Sequence, residues 1–186
     1  MNEQNPSPLD RVRDLESAGQ YEAALVGYAQ LRRYADAGRI AFGLGRLTEA
    51  ARYYQEATHF FEAAACHHRA GDSRKCLEML LRVPKDHPAY RKASQQVVRI
   101  ATEHRLVDYQ TDHFLSRYLA QAPADEQDLD AFERLAKFYE SERDTENARE
   151  MLQRVAAVNP NFRDAARRLA ALTRASQPKA MDDEIA

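Results

Sequence analysis

At 186 residues and 44% hydrophobic content, the chain is long enough for one sizeable domain or an extended array, and too apolar for wholesale disorder. Its 27 Lys+Arg against 29 Asp+Glu leave a formal net charge of −2, so no global field draws it to nucleic acid or to an anionic membrane. No run of about 18 apolar residues is available to span a bilayer, MNEQNPSPLD lacks the basic start and apolar core of a signal peptide, and two cysteines are too few for a disulfide scaffold; a cytoplasmic chain with reduced thiols is expected.

Strand patterns are nearly absent, alanine is abundant, and the chain reads as all-α, with proline and glycine as punctuation. Residues 1–6 carry too little apolar content to pack and are expected to be disordered. Ser7 and Pro8 then read as N-cap and first residue of a helix. Gly19, Gly45 and Gly71 follow at a spacing of 26 residues, which predicts a repeat. Five residues after each glycine stand Ala24, Ala50 and Cys76; nine after, Tyr28, Tyr54 and Leu80; twelve after, Leu31, Ala57 and Val83. Before them come Val12, Gly38 and Ala64 at seven residues and Leu15, Ala41 and His67 at four. Offsets of three and four keep side chains on one helix face, so each glycine is the turn of a helical hairpin. The spacing leaves about eleven residues per helix, with Ala57 ending one hairpin and beginning the next.

A fourth copy centres near Arg105, with Val97, Val98 and Ala101 before it and Phe114 after it. Gln110 stands there where a small residue is expected and Arg117 where an apolar one is. The cleanest copy centres on Arg143: Phe132, Leu135, Ala136 and Tyr139 precede it, and Ala148, Leu152, Val155 and Pro160 follow. Pro88 lies as far beyond Gly71 as Pro160 beyond Arg143, which suggests a common exit from the second helix. Residues 161–175 then offer a capping helix, with Phe162, Ala165, Ala166, Leu169 and Leu172 as its apolar stripe and Arg163, Arg167 and Arg168 outside it. The tail 176–186 is expected to be disordered.

Chemistry-bearing residues concentrate in CHHRAGDSRKC, residues 66–76. Two cysteines with His59, His67 and His68 could supply four zinc ligands. Cys66 and Cys76, however, lie five residues either side of the turn Gly71, on opposite arms of a hairpin, whereas zinc knuckles hold paired ligands two to four residues apart. Cys76 occupies the small-residue column and His67 an apolar one, so packing is the expected role and no metal is assigned. No dinucleotide fingerprint, phosphate loop, Gly-x-Ser-x-Gly or His-Glu-x-x-His occurs. The carboxylates fit solvated helix faces, and neither an enzyme nor a cofactor is expected.

Periodicity alone also fits an antiparallel helical bundle. The Phe132 to Pro160 set goes further, because it resembles a tetratricopeptide repeat at every signature position except the turn glycine, replaced by Arg143. The resemblance covers residues 8 to 175 and implies a right-handed α-solenoid of about five hairpins plus the capping helix, within a repeat domain at 7–175. Turn centres at 19, 45, 71, 105 and 143 depart from the family's unit of about 34 residues, the first three units being compact. The family also implies a use: protein–protein interaction, with a bacterial-type adaptor binding a peptide segment in a concave groove lined by the first helix of each hairpin. Carried over by position, Arg39, Phe42, Phe61, His68, Arg69, Gln95, Arg99 and Lys137 face that groove, together with Ala35, Ala65, Thr102, Glu133 and Glu140. The arginines would pair carboxylates of an acidic or C-terminal segment and the phenyl rings would anchor apolar side chains, although the family's carboxylate-clamp asparagine is not evident. The arginines could equally bridge neighbouring hairpins. A chaperone for a secreted or unstable client and a homo-oligomeric scaffold remain alternatives; nucleic acid and membrane insertion are not expected, and the oligomeric state is open.

Overall fold

The computed structural model describes residues 6–120 and 124–175; the disorder expected of the two ends therefore falls, apart from Pro6, outside the described residues. Among the described residues no strand occurs. Eleven α-helices of the described residues succeed one another as repeating hairpins: α1 (Pro8–Ser17), α2 (Tyr21–Gln30), α3 (Tyr34–Gly43), α4 (Leu47–Glu56), α5 (Phe60–Arg69), α6 (Ser73–Leu81), α7 (Tyr90–His104), α8 (Tyr109–Leu119), α9 (Leu129–Ser141), α10 (Thr145–Val158) and α11 (Ala165–Ala175). The chain divides into two compact units, Met1–Val97 and Val98–Ala186.

In the first unit the period is half of that read from the glycines. Left-handed residues fall at Gly19, Arg32, Gly45, Thr58 and Gly71, with φ of 74°, 56°, 77°, 59° and 77°, and so recur every thirteen residues. Each closes the same hydrogen-bonded exit. The left-handed residue donates its N–H to the carbonyl three residues back, and the next donates to the carbonyl five back, as in Gly19 to Glu16 and Gln20 to Leu15, or Thr58 to Gln55 and His59 to Tyr54. This is the Schellman arrangement, which satisfies carbonyls the helix end leaves open. Five residues on stand Ala24, Ala37, Ala50, Ala63 and Cys76, all fully buried. A side chain of that size lets one helix lie close against the next. The turn inside a hairpin and the turn between hairpins are thus the same device. Ala57 caps the end of α4, but Thr58 and His59 intervene before α5, so it does not begin the next hairpin, and helices α1 to α5 have ten residues each.

The Ser7 cap is as the sequence predicts, and α6 starts on a side-chain cap too. Ser7 Oγ accepts from the Asp10 N–H at 3.1 Å in a capping box with Pro8 in the first turn, and the Asp72 carboxylate accepts from the Lys75 N–H at 3.0 Å to start α6.

The second unit keeps the device with looser spacing. Arg105 and Arg143 are left-handed at φ 51° and 63°, as the predicted turn centres require, and the Arg143 turn repeats both exit hydrogen bonds. After Arg105 the chain runs on through Leu106 and Val107 before Asp108 caps α8. The buried set of α8, Thr111, Phe114, Leu115 and Tyr118, therefore arrives one position later, relative to the turn, than Ala148, Met151, Leu152 and Val155 in α10. Thr111, not Gln110, takes the small-residue place, and Tyr118, not Arg117, the apolar one. Pro88 and Pro160 both lie beyond a second helix, yet the exits align differently. His87 N–H to Pro84 and Tyr90 N–H to His87 correspond to Phe162 N–H to Asn159 and Ala165 N–H to Phe162, which sets Pro88 opposite Arg163.

A non-glycine residue in the left-handed region costs about 1 kcal/mol. Arg32→Gly and Thr58→Gly are each expected to raise the melting temperature by about 2–4 °C, whereas Gly45→Ala lowers it by a similar amount, measured by circular dichroism.

Candidate protein-binding surface

The first helices of the hairpins in the first unit, α1, α3 and α5, with the start of α7, carry most of the residues the sequence assigns to a partner. They are linked hairpin to hairpin. Arg39 of α3 donates to both oxygens of Glu16 on α1, at 2.7 and 3.0 Å, and the Tyr28 hydroxyl donates to the same carboxylate at 2.7 Å. Those bonds, Arg39 first, hold the Glu16 carboxyl below its ordinary range. One step along, the Arg69 guanidinium of α5 lies 4.5 Å from the centre of the Phe42 ring on α3. A further step on, Lys92 Nζ of α7 lies 5.9 Å from the centre of the Phe61 ring. His68 is exposed beside Arg69.

These cations are not equivalent. Arg39 has its charge matched by Glu16, so it bridges hairpins. Among the described residues neither Arg69 nor Lys92 has a carboxylate within ion-pair distance, and each is held over a half-buried phenyl ring. A cation over a ring face contributes about 0.5–1 kcal/mol at such a site, enough to orient the side chain without neutralising it. The sequence reading missed Lys92, which stands three residues before the assigned Gln95 and off the transferred positions. It also missed Glu16, although Glu16 occupies the same place before Gly19 as Phe42 before Gly45.

Gln95 is half-buried on α7. In the second unit Arg99 approaches Glu103 at 3.8 Å, and Glu103 accepts from Arg134 of α9 at 3.1 Å. Thr102 and Lys137, both assigned to the groove, line a shallow depression of about 260 Å³ with Glu103, Arg105, Arg134 and Phe138. Lys137 itself pairs with Glu133 at 2.8 Å.

Glu133 was expected to face the groove. Its side chain is 3% exposed because α11 and the turn before it close over it. Arg163 donates to it at 2.7 Å and Arg168 at 3.0 Å, while Arg168 also clasps both oxygens of Glu140 at 3.1 and 2.8 Å. The three arginines read as the outer face of the capping helix are thus divided: Arg163 and Arg168 reach carboxylates of α9, whereas Arg167 pairs with Asp164 beside it. Burial pushes the Glu133 carboxyl up, but Lys137, Arg163 and Arg168 more than offset it and hold it below its ordinary 4.5.

The Cys66–Cys76 stretch resolves into packing. Both thiols are free and fully buried, and burial pushes Cys66 up to about 11 against the nearby charge of Arg69, so it stays protonated and unreactive. His67 is buried as well, its Nε2 3.5 Å from Gln55 Nε2, and burial lowers its proton affinity. Among the described residues no group of three His, Cys, Asp or Glu side chains is placed to hold a metal, and no helix is long and apolar enough to cross a membrane.

Residues 130–161, the α9–α10 hairpin, match the family model described as a tetratricopeptide repeat. Across 90% of the chain and 75% of its own length, the C-terminal part of a tetratricopeptide repeat-containing protein from Cytophaga hutchinsonii is similar at a TM-score of 0.56 and 17% identity. YrrB, a tetratricopeptide-repeat protein with an unusual peptide-binding site, is similar over 87% of this chain and 89% of its own at a TM-score of 0.48 and 17% identity. No curated protein matches. The fold is that of tetratricopeptide-repeat proteins, and the chain is consistent with a member of that family. Such a fold implies a protein–protein interaction module, and proteins of this family are typically non-catalytic.

Because Glu133 is deprotonated more readily in the folded chain than in the unfolded one, its stabilisation is complete above the ordinary carboxylate value of 4.5 and is lost as pH falls through the lower native value. Two of its three cations are half-exposed, so Glu133→Gln is expected to cost about 3 kcal/mol at pH 7, the low end for a broken buried pair. The gap from the parent protein narrows on titration toward pH 3, as read by urea denaturation at each pH.

Proposed function

We propose that the chain is a non-enzymatic, cytoplasmic adaptor of bacterial type that holds an acidic peptide segment of a partner protein against the face made by α3, α5 and the start of α7. The observation that carries this reading is the pair of cations left without a carboxylate: Arg69 over Phe42 and Lys92 over Phe61. In this role Arg69, Lys92 and the exposed His68 meet partner carboxylates, and the half-buried Phe42 and Phe61 rings receive apolar side chains between them. Arg39 keeps the face in register through Glu16 and offers the partner the outer edge of its guanidinium. Gln95 extends the face along α7. Arg99 and Lys137, each beside a carboxylate of the second unit, add positive potential there rather than the main contacts.

Affinity capture from native lysate, followed by titration of the captured partner against variants, tests the assignment. Arg69→Glu and Phe42→Ala are expected to weaken the partner at least tenfold, about 1.4 kcal/mol, with little change in melting temperature for Arg69→Glu. Arg39→Glu lowers the melting temperature as well, because it sets two carboxylates against each other. Unchanged affinity in Arg69→Glu sinks the assignment of this face. A captured protein that aggregates when the chain is removed would make the function that of a chaperone instead.

A further inference from the structure

The second unit holds a larger cleft that none of the assigned residues line. It measures about 670 Å³ and runs between α8 and the α9–α10 hairpin, on the side of the second helices and the Arg143 turn. The half-buried Leu119 and Phe138 give it apolar walls, backed by the buried Leu115 and Met151, and Asp112, Glu142, Asp144 and Glu150 stand around them. Arg154 is the cation among its lining residues.

The carboxylates are unequally occupied. Glu142 accepts from Arg105 at 2.6 Å, and Glu150 from Arg154 at 2.8 Å, with Arg154 also donating to the Leu119 carbonyl at 3.1 Å. Among the described residues the Asp144 carboxylate is engaged only by the Asn147 backbone N–H and side-chain amide, at 3.1 and 2.6 Å, and Asp112 has no cation within ion-pair distance. Two guanidinium groups therefore face four carboxylates, and the cleft keeps a negative balance over an apolar floor. That field registers on Tyr139. Burial, then the charges of Asp112, Asp144 and Glu150, pushes the Tyr139 hydroxyl up, and burial with Asp108 pushes the Asp112 carboxyl up.

We propose that this cleft is a second docking site and that its occupant is a basic amphipathic segment of a partner protein, lysine or arginine on Asp112 and Asp144, apolar side chains on the half-buried Leu119 and Phe138. An acidic segment of the kind that suits Arg69 and Lys92 is repelled here, so the two faces select opposite charges. Apolar area flanked by uncompensated charge of one sign is the arrangement that takes an amphipathic helix or strand of the other sign.

The test uses the full chain and two fluorescein-labelled peptides, one carrying lysine and leucine at helical spacing, the other with glutamate in place of lysine. Fluorescence anisotropy is expected to show binding of the lysine peptide that weakens as salt is raised, with amide NMR shifts concentrated on α8 and the α9–α10 turn. Ser116→Arg, at an exposed position on the cleft wall, is expected to weaken it at least tenfold. The isosteric pair Asp112→Asn with Asp144→Asn, which preserves the cap of α10, weakens it severalfold, and gives the reading should Ser116→Arg lower the melting temperature. Equal binding of the glutamate peptide at the cleft, read from its amide shifts on α8 and the α9–α10 turn, or lysine-peptide affinity unchanged in both variants, overturns the proposal. Concentration-dependent self-association that disappears in Ser116→Arg would give the cleft to a second copy of the chain and overturn it too.

Discussion

The fold rests on one coupling: a left-handed residue that ends a helix and, five residues later, a side chain small enough to be wholly covered. The first reverses the chain within three residues while satisfying two of the carbonyls the helix would leave open. The second lets the returning helix lie close to its predecessor. In the first unit this pair recurs at thirteen-residue intervals from Gly19 to Cys76, so each ten-residue helix is fixed by its neighbours rather than by its own propensity, which for two to three turns is marginal in water. Stability then accrues by neighbour contacts, and no hairpin is privileged over the gap between hairpins.

That constraint decides which charged groups are free to bind anything. Helices set close together bring the ends of long side chains within reach across hairpins, and the carboxylates they meet are those of the repeat itself. Glu16 takes Arg39, Glu103 takes Arg134, and Glu133 takes Lys137, Arg163 and Arg168. At Phe42 and Phe61 the equivalent neighbour is a ring. A ring orients Arg69 or Lys92 through its quadrupole but leaves the net charge in place, so these two cations stay available where Arg39 does not. The exposed pairs contribute little to stability; their larger effect is on what the surface can still attract.

Much of this was legible in the sequence where glycine marks the geometry. Gly19, Gly45 and Gly71 betray their turns, and the columns around them hold after Arg143 but fall one position early after Arg105. Arg32 and Thr58 adopt the same backbone without the residue that advertises it, which is why the period read as 26 residues when Ala37 and Ala63 already stood at thirteen. The extra turn residues after Arg105 were hidden for a different reason: a shift of one position keeps Phe114 apolar in either register and exposes itself only through Gln110 and Arg117. Pairing was the least legible feature. Helix periodicity says which face a residue occupies, but Arg39 and Glu16 are 23 residues apart, and nothing local distinguishes an arginine that will find a carboxylate from Arg69, which finds a ring.

The arginines at left-handed positions show how the same local cost can have opposite justification. Arg32, Arg105, Arg143 and Arg163 each hold φ between 49° and 63°, a conformation that costs an ordinary side chain about 1 kcal/mol. At Arg163 the turn aims the guanidinium at Glu133 and Asp130, at 2.7 and 2.6 Å, and without it a buried carboxylate would lose one of its cations; the strain there is offset by the site it completes. Arg105 reaches Glu142, but both side chains stay well exposed, at 69% and 43%, and such a pair offsets less. For Arg32 no ion pair occurs among the described residues, so its strain stands uncompensated by contact. Thirteen-residue regularity nevertheless requires a left-handed residue at that point, and the backbone geometry is enforced from outside by Ala24 and Ala37 packed on either side of it. Sequence identity at a turn therefore reports local preference, whereas the turn itself is set by the spacing of the buried alanines.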